Sequence, residues 1–272
     1  MATSPMLTAQ ERTRSLVKTC VENAIGTITL NNPQKHNALS IALIEELKGV
    51  GAELRASGVR VVVLRAAPGA KVWSAGHDVT ELPTNGRDPL TYNDPLRRLV
   101  RAIQESPVPV IAMVEGSVWG GACELVMSCD VIFAAEEATF AITPAKLGVP
   151  YDIAGVLNFM QRAGLPIIKE MLFTAQPMSA QRALQVGIVN QVFPAKQIET
   201  ATYDFAAQIT RNSPLVIALL KEELRVLSAA TPLTPEGFER IQALRRQIYD
   251  SADYQEGIKA FFERRTPRFT GK

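Results

Sequence analysis

Two stretches, "VRVVVLRA" at residues 59–66 and "PVIAMV" at 109–114, are almost continuously apolar and β-branched. A strand with one wet face alternates polar and apolar residues; a run without alternation predicts burial on both faces, the condition of parallel strands covered by helices. The flanking segments supply the helices. "IALIEELKGVGAELR" carries apolar residues at helical spacing behind Ser40, a suitable N-cap, and "DPLRRLVRAIQES" precedes the second run. A helix opening near Gly121 and a further strand, "DVIFAA", extend the alternation. The fold class predicted is α/β.

Ahead of this core, "SLVKTC" and "AIGTITL" flank the turn-like "VENA" and predict an antiparallel hairpin, which "NNPQKHN" ends. Hairpin, helix and strand make one ββα-type unit, repeated more loosely downstream. After Asn190 strands nearly stop. Helical segments run from about Ala195 to Arg211, from Pro214, and from Thr234 with Pro235 at the first helical position, and "SADYQEGIKAFFERRTPRF" predicts a last amphipathic helix. The chain thus divides into an α/β core over 1–194 and a helical region over 195–272, a cover or a subunit contact. "MATSPMLTAQER" is expected to fray.

Composition removes several functions. Of 272 residues 47% are hydrophobic, enough for a large core, and 29 basic against 27 acidic residues are dispersed with no basic run, so nucleic acid is not an expected partner. No apolar run reaches membrane-spanning length and the first residues lack a signal-peptide pattern, so no membrane partner and a cytoplasmic location are expected. Cys20, Cys123 and Cys129 form no CxxC pair and are expected as buried thiols. His36 and His77 are the only histidines, without metal-ligand spacing, so a metal is not expected.

Chemistry concentrates in two loops that each follow a buried strand, "WSAGHD" and "EGSVWGGACELVM". Glycine there lets a backbone N–H approach a ligand, and a helix beginning at Gly121 adds its positive end. Singly, Gly76, Gly116, Gly120 and Gly121 read as tight turns; together, the two loops suggest two amides holding one developing oxyanion.

"SAGHD" and "EGSVWGGACELVMSCD", with "HNALS" and "EGIKAFFERRTPRF", resemble the crotonase (enoyl-CoA hydratase/isomerase) superfamily over nearly the whole chain. The resemblance implies a spiral of ββα units, a helical C-terminal trimerisation region, an acyl-CoA thioester substrate, and a homo-oligomer that is a trimer or a dimer of trimers. It places the thioester oxygen on the N–H groups of His77 and Gly121. Alanine commonly stands where His77 is, so the backbone matters there more than the ring. The CoA adenine would pass His36 through backbone contacts.

Hydration in that family needs two glutamates, since adding water requires placed proton transfers. Glu124 in "GGACE" matches the first; in "TPAKLGVP" Pro144 stands at the second. Losing CO₂ from a malonyl-type thioester needs no base, because the breaking C–C bond supplies the electrons and the oxyanion site stabilises the enolate. "KVWSAGHDVTELPTNGRDPLTYNDPLR", "TPAKLGVPY" and "IYDSADYQEG" resemble a decarboxylating branch. That resemblance implies cofactor-independent conversion of methylmalonyl-CoA to propionyl-CoA. Tyr151 would bind the substrate carboxylate, while His77, Asp78, Val79, Thr80, Glu81, Gly121 and Thr143 would lie along the substrate. Arg264, on the last helix, would approach the CoA or acyl group, and Glu124 is a possible acid/base or a wall residue. Without the resemblance Tyr151 reads as a half-buried residue before a helix, and Arg264 as part of a solvated face. The alternatives are an enoyl-CoA hydratase or isomerase using Glu124 alone, and a non-catalytic acyl-CoA-binding protein.

Overall fold

A computed structural model describes residues 10–82, 93–228 and 235–270. Strand β1 (Gln10–Thr13) pairs antiparallel with β2 (Val17–Glu22), and β2 with β3 (Ile25–Leu30). The hairpin turn is tighter than "VENA". Asn23 and Ala24 alone make it, both at positive φ (51° and 61°), the twist that suits a two-residue connection. β1 corrects the expectation of a frayed start for residues 10–12, since it covers the edge β2 would otherwise expose; residues 1–9 lie outside those described.

Helix α1 (Ile41–Ala56) starts as expected, with Ser40 Oγ accepting from the Leu43 N–H at 3.3 Å, and buries Leu43, Ile44, Leu47, Val50 and Leu54. Three successive turns of chain then follow one plan. Each lays one strand in a large sheet and a short one in a second sheet before a helix: β4 (Val61–Ala66), β5 (Val72–Ser74), α2 (Pro95–Gln104); β6 (Val110–Val114), β7 (Ser117–Trp119), α3 (Gly121–Met127); β8 (Val131–Ala135), β9 (Thr139–Ala141), α4 (Ile153–Arg162). Helix α5 (Leu165–Thr174), strand β10 (Met178–Ser179), helix α6 (Ala180–Gln185) and strand β11 (Gln191–Phe193) close the spiral. The seven-stranded sheet runs β1-β2-β3-β4-β6-β8-β11, parallel from β3 onward, and the four-stranded sheet runs β10-β9-β7-β5. The entirely buried β4 and β6 are the two runs that constrained the fold. The second sheet was not expected, because strands of two or three residues carry no readable period.

Helix α7 (Ile198–Thr210) covers the other face of the large sheet, Ile198 and Ala206 packing with Val61, Val63, Ile111, Met113 and Phe133. Helices α8 (Pro214–Ser228), α9 (Pro235–Tyr249) and α10 (Ala252–Phe262) follow. α10 comes so close to the 3-10 turn Pro144–Leu147 that a Cβ on Gly257 would sit 2.2 Å from the Leu147 carbonyl oxygen. Its end at Phe262 corrects the expected placement of Arg264, which lies beyond the helix at φ 53°. No helix among the described residues is long and apolar enough to cross a membrane.

Candidate active site

The segment that ends the hairpin pattern docks the first glycine loop. A 3-10 turn, Pro33–Lys35, delivers His36 and Asn37 in left-handed conformations. Asn37 Nδ2 then donates to the Trp73 carbonyl at 2.9 Å, Ser74 Oγ donates to the Asn37 carbonyl at 2.7 Å, and the Ala75 N–H donates to the His36 carbonyl at 2.9 Å. Leu39 N–H donates to Gly76 O at 2.7 Å and Asp78 N–H to Leu39 O at 3.3 Å. That bridge engages the residues on either side of His77, so His77's own N–H points away from Leu39. Gly76 has φ 84°, and a Cβ there would lie 2.4 Å from the Trp119 carbonyl oxygen, so no other residue fits unstrained.

Gly120 ends the second loop, and Gly121 is the first residue of α3, whose N–H has no partner within its helix. The two loops touch. A Cβ on Gly76 would be 3.2 Å from Gly121 N, and one on Gly121 would be 3.6 Å from His77 N. Two backbone donors without a partner among the described residues therefore face one corner of a cavity of about 780 Å³.

That cavity gathers His77, Asp78, Val79, Thr80, Gly121, Thr143, Tyr151 and Arg264, residues from far-apart parts of the chain, with His36 at its wall. Glu81 is not among the lining residues; its carboxylate accepts from the Ile41 N–H at 2.8 Å and caps α1. Asp78 is a structural acceptor. Burial raises its carboxyl, but bonds from Thr80 and Lys35 outweigh this and hold it below the usual carboxylate range. Cys123 and Cys129 are inert buried thiols, pushed up to about 12 by burial, whereas Cys20 is only half-buried, a correction to the expectation for all three.

Glu124 is completely buried and is also absent from the lining. Both terminal nitrogens of Arg97 pair with its carboxylate, the Nη2 contact at 2.5 Å, and Asn158 Nδ2 donates to it at 3.0 Å. Arg97 Nε also stands 2.6 Å from Asp152 Oδ2, an ion pair whose N–H points off the oxygen, while Asp152 Oδ1 caps α4 at the Gly155 N–H, 2.6 Å away. Gly155 is the hinge of this packing: a Cβ on it would lie 2.7 Å from both Arg97 Nη2 and Tyr151 Cδ1. Tyr151, half-buried, is held edge-on to Phe159 with centroids 5.2 Å apart and lies 6.0 Å from the Arg97 guanidinium. Burial drives its phenol well above the ordinary range, with the Arg97 charge opposing.

Arg97, Asp152 and Asn158 were not anticipated. A signal existed for the first. In "PLRRLVRAIQ" helical spacing puts Arg97 on the stripe with Leu96, Val100 and Ile103, while Arg98 faces solvent. A charge on an apolar stripe demands a buried counter-charge.

Residues 21–272 match the family described as Enoyl-CoA hydratase/isomerase. The chain is 51% identical over 249 residues to methylmalonyl-CoA decarboxylase of Escherichia coli (strain K12), covering 92% of this chain and 95% of that protein. It is 30% identical to 2,3-dehydroadipyl-CoA hydratase from the same organism, covering 90% and 94%. A solved structure of methylmalonyl-CoA decarboxylase in complex with 2-nitronate-propionyl-CoA superposes with TM-score 0.93 at 50% identity, covering 94% of this chain and 99% of that one.

Proposed function

The chain belongs to the enoyl-CoA hydratase/isomerase family, and from that membership we propose that it decarboxylates methylmalonyl-CoA to propionyl-CoA without a cofactor. One observation carries the choice of reaction: Glu124, the glutamate a hydratase would use, is buried against Arg97, while two backbone donors without a partner among the described residues and a phenol line the cavity.

In this reading the thioester oxygen sits on the His77 and Gly121 N–H groups, and the Tyr151 hydroxyl donates to the substrate carboxylate. Tyr151 sets the C–C bond perpendicular to the thioester plane, so that its electron pair enters the carbonyl system as CO₂ departs. The enolate oxygen then takes the charge the two amides are placed to stabilise. Asp78, Val79, Thr80 and Thr143 form the wall along the acyl group, and Arg264 meets the CoA portion near Lys35 and Lys146. Glu81 contributes indirectly, by fixing the start of α1.

Mass spectrometry of the products from methylmalonyl-CoA and, separately, from crotonyl-CoA tests this. Propionyl-CoA with inert crotonyl-CoA is expected; 3-hydroxybutyryl-CoA alone would replace the reading with a hydratase, and binding of both without turnover with a carrier. Pro144 and the Arg97–Glu124 pair stand against the hydratase. Tyr151→Phe is expected to lower kcat/KM by about 10- to 100-fold, the worth of one hydrogen bond to a charged group. Because its phenol is raised, Tyr151 stays a donor as pH rises past the region where an exposed tyrosine ionises. The Tyr151 contribution should therefore persist into that alkaline range, and a loss centred near the ordinary tyrosine pKa would contradict it.

We also propose that the region from residue 195 onward covers the site and joins subunits into a trimer or a dimer of trimers. α8 leaves Leu215, Leu219, Leu224 and Leu227 exposed, more apolar surface than a lone helix face usually shows, and Phe261 and Arg264 reach the cavity. A cytoplasmic location completes the proposal.

A further inference from the structure

The two anchors of the proposed reaction fix two of the four groups on the substrate α-carbon. With the thioester carbonyl at the His77 and Gly121 amides and the carboxylate at Tyr151, the α-carbon, bonded to both carbons, lies between those anchors. The first turn of α2 spans the same interval. Leu96 Cδ2 stands 2.8 Å from where a Cβ on Gly121 would be, filling the space that glycine leaves beside its amide. The next residue, Arg97, packs at the other anchor, where its Nη2 and Tyr151 Cδ1 are each 2.7 Å from the position of a Cβ on Gly155. Leu96 also lines the cavity, so its side chain flanks the α-carbon.

A hydrogen and a methyl group remain on that carbon, and the two walls beside the second glycine loop differ. Thr143 Oγ1 lies 3.2 Å from the position of a Cβ on Gly120 and presents a hydroxyl, whereas Leu96 beside Gly121 is wholly apolar. A methyl group gains by burial against leucine and loses where it takes water from a hydroxyl. Leu96 is a fixed surface as well. It is 2% exposed, follows Pro95 at the start of α2, and donates its N–H to Asp94 Oδ1 at 2.9 Å, while Arg97 is tied to Glu124 and Asp152. A leucine whose backbone is held from both sides in a packed interior does not retreat to admit a larger group.

Resting on the decarboxylase reading above, we propose that Leu96 receives the α-methyl group and determines which α-substituents the site accepts. It takes no part in breaking the C–C bond. Its contribution is the choice among malonyl-type thioesters that differ only at the α-carbon.

The test is the ratio of kcat/KM values for malonyl-CoA, methylmalonyl-CoA and ethylmalonyl-CoA on one preparation of each variant, since a ratio cancels any general loss from folding or from the oxyanion corner. Leu96→Ala opens the wall and should raise the ethylmalonyl-to-methylmalonyl ratio about tenfold or more over the parent, the worth of one methylene in an apolar pocket. Leu96→Phe narrows it and should raise the malonyl-to-methylmalonyl ratio on the same scale. Leu99→Ala separates a site role from a structural one: Leu99 is also buried on α2 but does not line the cavity, so its loss should lower the melting temperature and leave both ratios unchanged. Unchanged ratios in a folded Leu96→Ala protein, or an equal shift in Leu99→Ala, would overturn the assignment. Should Leu96→Ala not fold, as judged by thermal unfolding, Leu96→Val removes a single methylene and should move the ethylmalonyl ratio in the same direction; no movement would overturn the assignment too. Absence of propionyl-CoA from methylmalonyl-CoA with the wild-type protein would instead overturn the decarboxylase reading, and this proposal with it.

Discussion

Replacing Arg97 with methionine is expected to cost about 3–5 kcal/mol of folding stability, measured by denaturant unfolding against the parent protein. The size follows from what remains. Glu124 is completely buried and its carboxylate has Arg97 as its cation, so the variant keeps a negative charge in the interior with only the Asn158 amide for company. Asp152 loses the same partner but sits nearer solvent, and contributes less. Removing the charge as well, in Arg97→Met with Glu124→Gln, should recover most of the loss, because an unpaired carboxylate rather than a missing contact causes it. A single variant within about 1 kcal/mol of the parent would mean that water reaches the pair.

Gly76→Ala should lower kcat by about 100- to 1,000-fold, the scale on which one oxyanion donor matters. The new Cβ would meet the Trp119 carbonyl oxygen, a backbone atom held by β7 that cannot rotate away, in a residue already at positive φ. The loop must shift, and the His77 N–H shifts with it. Gly58→Ala is the control: φ is 81°, with nothing within 4 Å, so about 1 kcal/mol of strain is expected with turnover unchanged. Equal activity loss in both variants would attribute the effect to strain in general. A Gly76→Ala enzyme retaining more than about a tenth of its turnover would remove the His77 amide from the mechanism.

What the sequence revealed, and what it hid, follows from range. α1 and α2 are legible because each contains its own helical period and cap, and β4 and β6 because each is a nearly unbroken apolar run. β5, β7 and β9 exist only as partners of one another, so no local pattern marks them. Site residues divide the same way. The glycine loops announce themselves, since positive φ and close backbone approach leave few other residues possible. The burial of Glu124 depends on Arg97, 27 positions earlier, and on a helix turn that no motif spells out. The resemblance lays Glu81 along the substrate with the rest of the 77–81 loop, yet a 3-10 turn at Val79–Glu81 carries its carboxylate to the start of α1.

The contact of α10 with the 3-10 turn at Pro144–Leu147 sets an order on how the molecule is made. Chains emerge from the ribosome N-terminus first, and early parts fold as they appear. Both amides, Thr143 and Tyr151 belong to chain made before α10, but Phe261 and Arg264 join the cavity lining only when Gly257 reaches the Leu147 carbonyl. The nascent protein thus acquires the two glycine loops first, and the lining residues at the end of α10 and just beyond it join the cavity later.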